Sequence, residues 1–405
     1  MLKRILTVLV SAVMALSVTV YLPVNLGYSV SAAQEYDKPY YYKQLSDDAK
    51  TAYDELREAV INCRKDVRVD DISIEQQDFD MICELLILHD PVTFNLKNIE
   101  AYEVTRSYAK FKLTYRYNKE TYQKMIAAND KKVEKILGKL DDDMSTYKKI
   151  RIIHDEIIKS ASYDLYAKTA DTVYGTLVQK KSKCDGYAKT FSYICNKAGI
   201  RNVTVIGSDL TDSSSDYLHM WNKVYYNKKW YNVDVTWDDP VSELKNNKKY
   251  DFFMVSDASL ANSHKENNLS FEVPKAEDNS INYFAVNKKY IEDVSDIEGY
   301  IQKKLTAAAK NKSSYIMFKC KDKSDYDKVK AYVSDTDKMC GILEKVSKNT
   351  DGKIITNVYL RVFSDTQYTV KICVFYKDTD LDDYFISADQ LSRDTIDLMA
   401  KYGID

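Results

Sequence analysis

The sequence predicts an α+β protein in three parts: a central helix-plus-hairpin unit flanked by two smaller α+β regions. Three observations carry this. Residues 108–117 alternate strictly, with Ala109, Phe111, Leu113, Tyr115 and Tyr117 on one side and Lys110, Lys112, Thr114 and Arg116 on the other, the pattern of a half-buried strand. From Cys184, the apolar positions Tyr187, Ala188, Phe191, Ile194, Cys195 and Ala198 follow helical spacing, with strands to follow at 219–226 and 229–237. Beyond residue 285, a strand, a helical stretch and a hairpin recur in that order.

The N-terminus reads as a secretory signal. Lys3 and Arg4 precede an apolar run from Ile5 to about Val20, and Ser31-Ala32-Ala33 offers the small residues of a cleavage site. Residues 1–33 are therefore expected to be removed and the chain to be secreted or held at the cell surface. An uncleaved anchor is the alternative, because the apolar run continues through Tyr21, Leu22, Val24 and Leu26. Only in that case would a membrane be a partner. Past residue 33 no stretch is long and apolar enough to span one. A formal net charge of -2 over 405 residues gives no electrostatic reason to expect a nucleic-acid partner.

Residues 34–120 form the N-terminal α+β region. After a tyrosine-rich lead-in, Ser46 caps a helix carrying Ala49, Tyr53, Leu56, Val60 and Cys63 on one face. Ser73 and Gln76 resemble a capping box for a second helix, which Asp90-Pro91 ends. The central domain spans 121–275 and opens with two helices. The second starts near Ser145 and places Tyr147, Ile150, Ile153, Ile157 and Ile158 on one face with His154, expected to be a hydrogen-bonded core histidine. The C-terminal domain covers 285–405. It contains a strand over 313–320, a helical stretch over 325–347 and a hairpin from Ile355–Val362 and Tyr368–Phe375.

The chemistry-bearing residues lie in the central part. Seven cysteines, an odd number, leave at least one unpaired, and no pair has the spacing of a metal knuckle. Cys184 is expected at the first turn of its helix, where unsatisfied backbone N–H groups favour negative charge on sulfur and its own N–H can serve an oxyanion. Gly199 is placed to end that helix, and Gly186 near its start implies close packing against the backbone. An even turn at Asn227-Lys228 pairs Tyr226 with Lys229 and Trp221 with Asp234. His219 then falls opposite Thr236, on the face of Asp234 and within reach of a histidine–carboxylate hydrogen bond. A thiol, an imidazole and a carboxylate in this arrangement are the parts of an activated cysteine nucleophile. A buried structural cysteine is the competing reading of Cys184 alone.

These segments resemble the transglutaminase-like superfamily, in particular its bacterial secreted members. The resemblance rests on Ile153-His154-Asp155, Tyr174-Gly175-Thr176-Leu177, Cys184-Asp185-Gly186-Tyr187-Ala188, His219-Met220-Trp221-Asn222, Asp234-Val235-Thr236-Trp237-Asp238-Asp239-Pro240 and Tyr250 to Ser256, about 145–265 in all. It implies a papain-like core, with a Cys-bearing helix packed on an antiparallel sheet bearing His and Asp. It further implies Cys184 as nucleophile, His219 as general base and acid, and Asp234 as orienting acid. The reaction would be acyl transfer or amide hydrolysis through a thioester, on protein or cell-wall peptide substrates. Tyr174, or else Gln179, is the candidate for a second oxyanion donor. Asp185, Trp221, Asn222, Trp237 and Asp238 are candidates to line or support the cleft, and His264 reads as structural. No cofactor and no metal are implied. A non-catalytic surface or scaffold protein keeping this fold is the alternative, and an acyltransferase using a small acyl donor is a third.

Overall fold

The computed structural model describes residues 38–211, 218–239, 248–267 and 269–378. The signal segment expected over 1–33 lies outside the described residues. A short turn at Tyr40–Gln44 leads into α1 (Asp47–Asn62), capped as expected by Ser46, whose side chain accepts from the Ala49 N–H. Strand β1 (Asp66–Asp70) and α2 (Gln76–Glu84) follow, the latter ending in a wider turn through His89. The α2 cap differs from expectation: Glu75 and Asp78 make the reciprocal box, while the Ser73 N–H donates to Asp48. Strands β2 (Leu96–Val104) and β3 (Tyr108–Tyr115) complete an antiparallel sheet in the order β1-β3-β2. Ala109, Phe111 and Leu113 point inward from β3 as the alternation requires.

Helices α3 (Lys119–Leu137) and α4 (Thr146–Ser160) open the central part, and β4 (Ser162–Tyr163) pairs in parallel with β5 (Lys181–Ser182) directly before α5 (Cys184–Lys197). Next come β6 (Asn202–Asp209), β7 (Leu218–Tyr226), β8 (Lys229–Val233), a short α6 (Val235–Asp238), β9 (Phe253–Val255), α7 (Asp257–Leu260) and β10 (His264–Glu266). The five strands form one antiparallel sheet in the order β10-β6-β7-β8-β9.

Both faces of this sheet are covered. On one, α4 and α5 bury Ile150, Ile153, Tyr187, Phe191 and Ile194 against Val224, Tyr231, Val233 and Phe253. On the other, Tyr53, Leu56, Ile82 and Phe111 of the N-terminal region share a single core with Val203, Val205, Trp221 and Phe252. The N-terminal region therefore forms the second layer of the central sheet.

Helix α8 (Tyr283–Val286) links to the C-terminal part: α9 (Ile297–Lys310), β11 (Tyr315–Lys319), α10 (Lys323–Ser334), α11 (Thr336–Lys348), β12 (Ile354–Ser364) and β13 (Thr369–Tyr376). The expected single helical stretch is two helices. Asp335 leaves helical geometry and its carboxylate caps α11 through the Lys338 N–H. This part has its own core, including Leu305, Phe318, Val329, Ile342 and Ile372. It docks on the central part through Thr369 Oγ1 to Asp251 (2.8 Å) and Gln367 to the Ser259 carbonyl (2.6 Å).

Candidate active site

Cys184 is the first residue of α5, part-exposed at its N-terminus. The helix starts there because Lys183 is extended and its N–H is taken by the Ala170 carbonyl. Among the described residues the backbone N–H groups of Cys184 and Asp185 have no main-chain partner, which leaves two donors beside the sulfur. Gly186 meets the expected close approach: a Cβ there would lie 2.0 Å from the Ala170 carbonyl oxygen and 2.6 Å from Ser182 Oγ. Gly199, at φ +67°, ends the helix in the left-handed conformation as expected. All seven cysteines are free thiols.

The β7–β8 hairpin has the expected register, with Tyr226 opposite Lys229 across a two-residue turn in which Asn227 and Lys228 both take positive φ. The second strand stops earlier than expected. Val233 is its last residue, so Thr236 does not pair with His219. Asp234 instead caps α6, where Oδ1 accepts from the Trp237 N–H at 3.1 Å. Its Oδ2 meets His219 Nε2 at 2.6 Å, so histidine and carboxylate still come together.

Asp234 is fully buried and His219 nearly so. Burial alone disfavours charge on the imidazole, but Asp234, followed by Cys184 as a second hydrogen-bonding partner, outweighs it and raises the His219 pKa to about 10. Burial likewise opposes charge on Asp234, yet His219 and His264 hold its pKa well below the usual carboxylate range. Trp221 and Trp237 flank the His219 ring, each at 5.9 Å between centroids, and Trp221 Nε1 donates to Asn232.

The other sequence candidates divide. Asn222 donates to the Ala188 carbonyl at 3.1 Å, tying β7 to α5 one turn beyond Cys184. Asp238 is buried, accepts from the Phe252 N–H and lies 3.2 Å from His154 Nε2. Burial pushes its pKa up to about 6, against the pull of His154. His154 is the buried, hydrogen-bonded core histidine that was expected. Asp185 stays local, accepting from the Gly186 N–H and facing Lys183 at 3.6 Å. Tyr174 is partly buried and packs with Phe94, Tyr122 and Met125. Gln179 is held by the Thr169 hydroxyl. The backbone donor next to that of Cys184 is the Asp185 N–H.

His264, which the sequence suggests is structural, belongs to the site. His264, the first residue of β10, places Nε2 2.9 Å from the same Asp234 Oδ2. His219, Asp234 and His264 present ligand-type atoms within 4.8 Å of one another. The nitrogen–oxygen separations are those of hydrogen bonds, shorter than the roughly 3.3 Å edge of a tetrahedral zinc site.

Known proteins resemble part of this chain. Kyphoscoliosis peptidase of Mus musculus is 28% identical over 153 residues, covering 34% of this chain and 23% of the relative. The Homo sapiens protein of that name is 25% identical over 173 residues, covering 38% and 26%. The chain thus spans about a quarter of the length of these relatives. Among solved structures, a transglutaminase aligns over 46% of this chain and 54% of its own, at 17% identity and a TM-score of 0.25. A protein from Cytophaga hutchinsonii assigned as a cysteine protease aligns over 34% and 61%, at 15% identity and a TM-score of 0.24. Residues 130–235 match the family model of the transglutaminase-like superfamily, and this chain carries a domain of that superfamily.

Proposed function

We propose that the chain is a secreted cysteine enzyme that transfers or hydrolyses acyl groups of protein or cell-wall peptide amides, with Cys184, His219 and Asp234 as its triad. One observation carries the reading: His219 is held by Asp234 on one side and has the helix-terminal thiol of Cys184 as its other partner. With Nε2 engaged by Asp234, Nδ1 is the nitrogen left for sulfur. His219 already holds the proton as imidazolium beside the Cys184 thiolate, and Sγ attacks the amide carbon. The developing oxyanion is accepted by the backbone N–H groups of Cys184 and Asp185. Collapse to the thioester breaks the C–N bond, and His219 protonates the departing amine. Water or an amine then attacks the thioester while His219 takes its proton, and loss of the acyl group restores the Cys184 thiolate beside the imidazolium. The relatives named as peptidases favour water as the acceptor.

The test is labelling and turnover with the chain lacking residues 1–33. Iodoacetamide at neutral pH is expected to modify Cys184 first, because burial raises the pKa of Cys63, Cys83, Cys195, Cys320 and Cys373. Cys340, part-exposed on α11, is the control thiol. Cys184→Ala is expected to abolish both release of peptides from labelled casein and incorporation of a labelled amine. Labelling confined to Cys340, or full turnover by Cys184→Ala, refutes the assignment and favours a non-catalytic scaffold.

A further inference from the structure

Asp234 Oδ2 receives two imidazoles. His219 Nε2 lies at 2.6 Å and His264 Nε2 at 2.9 Å, on rings whose centroids are 5.3 Å apart. The two histidines come from opposite sides of β6: His219 from β7, opposite Gly207, and His264 from β10, opposite Asp209. Gly207 makes room for this. A Cβ there would strike the Trp221 ring at 2.5 Å and the Lys265 carbonyl at 2.2 Å, so a side chain would push Trp221 or β10 away. His264 is itself oriented. Its Nδ1 lies 2.8 Å from Ser263 Oγ, and Trp221, Trp237 and Phe252 enclose its ring at 4.5–5.3 Å.

We propose that His264 is a positioning residue of the acyl-transfer site, sharing Asp234 with His219 and so fixing the carboxylate while moderating its pull on the His219 proton. This rests on the triad reading above. The proton inventory requires one tautomer. Asp234 Oδ2 accepts from both rings, so His264 carries its proton on Nε2. Its Nδ1 lies beside Ser263 Oγ, whose one proton goes to it or to the Leu260 carbonyl at 3.1 Å. Charge on both rings is unfavourable at 5.3 Å in a buried site, so one is cationic at a time. Burial keeps His264 neutral, with Asp234 and then Asp209 opposing and His219 reinforcing that effect. A neutral donor draws part of the carboxylate's negative potential without adding positive charge. His219 consequently gives up its proton to a leaving amine more readily than it would on an unshared carboxylate.

The test uses iodoacetate, whose anion is drawn to the imidazolium, so the alkaline fall in its rate at Cys184 reports His219. Cys184 modification is followed by mass spectrometry across pH on the full mature chain. His264→Phe, which keeps a ring in the aromatic enclosure but has no N–H, is expected to move that alkaline limb upward by about one pH unit. Casein turnover is expected to fall about tenfold to hundredfold. His264→Gln can place an N–H where Nε2 was and is expected to stay within about threefold of the parent in turnover. His264→Asn, which reaches only the Nδ1 position, is expected to resemble Phe. A limb in His264→Phe that coincides with the parent's overturns the proposal. If Phe does not fold, equal behaviour of folded Gln and Asn variants overturns it. Failure of the parent to react at Cys184 would sink the triad reading instead, so the two failures are distinguishable.

Discussion

Replacing Asp234 by asparagine removes one negative charge and almost no volume from the centre of the site. The carboxylate accepts three hydrogen bonds, from the Trp237 N–H on Oδ1 and from His219 and His264 on Oδ2. An amide has one oxygen. If its NH2 faces Trp237, the helix cap is lost, at about 0.5–2 kcal/mol. If it faces the histidines, His219 must accept at Nε2 and carry its proton on Nδ1, the wrong tautomer to receive one from Cys184. Either way the charge is gone. The rise of the His219 pKa from 6.5 to about 10 corresponds to about 5 kcal/mol in favour of the imidazolium, supplied by Asp234 first and Cys184 second. Turnover is therefore expected to fall on the order of 10³–10⁴-fold, and the alkaline limb of iodoacetate reaction at Cys184 to drop from near 10 toward 6.5. This is the opposite direction from His264→Phe. Melting temperature provides a second readout. A raised histidine pKa contributes stability that is complete below 6.5 and lost as pH rises through about 10. The parent should thus lose stability across that window, and Asp234→Asn should show a flatter curve there. An alkaline limb still near 10, with turnover within about threefold of the parent, would refute the reasoning.

Two further predictions concern the frame around the site. Gly186→Ala gains about 1 kcal/mol of helix propensity. Its Cβ, however, would sit 2.0 Å from the Ala170 carbonyl, so the loop before α5 must move. The net expectation is a loss of about 1–3 kcal/mol in urea unfolding together with reduced Cys184 labelling, and a variant at least as stable as the parent would contradict it. Lys223 is fully buried, paired with Asp257 at 2.8 Å and with Glu266, and donates to the Pro274 carbonyl at 2.9 Å. Lys223→Met leaves two partly solvated carboxylates and the Pro274 carbonyl without their donor and is expected to cost about 1–3 kcal/mol. A change below about 1 kcal/mol would show that water takes over the pairing.

Much of the site is legible in the sequence alone. The hairpin register followed from an even turn at Asn227-Lys228, because slipping by one residue would turn every side chain to the wrong face. The α5 boundaries followed from helical spacing, Gly199 and the close approach implied by Gly186. The end of β8 was not legible. Val235, Thr236 and Trp237 have strong strand preference, yet Asp234 caps a helical turn there through the Trp237 N–H. That turn is anchored from outside the segment, by Asp238 on His154 and Asp239 on Tyr187. Tyr174 illustrates the same limit. Its place in sequence suggested the cleft, while its packing beside Phe94 and Tyr122 is set by residues distant in the chain.

By itself, then, the sequence determined the main helices, the β3 alternation, the hairpin pairing and the three residues of the candidate triad, because periodicity, turns and caps act over a few neighbouring residues. Tertiary structure alone decided that His264 shares Asp234 from 30 residues away and that the N-terminal region is the second layer of the central sheet. The reason is physical. A buried carboxylate takes whichever donors the fold brings to it, and an apolar sheet face takes whichever layer covers it. Neither choice is written in the spacing of nearby residues.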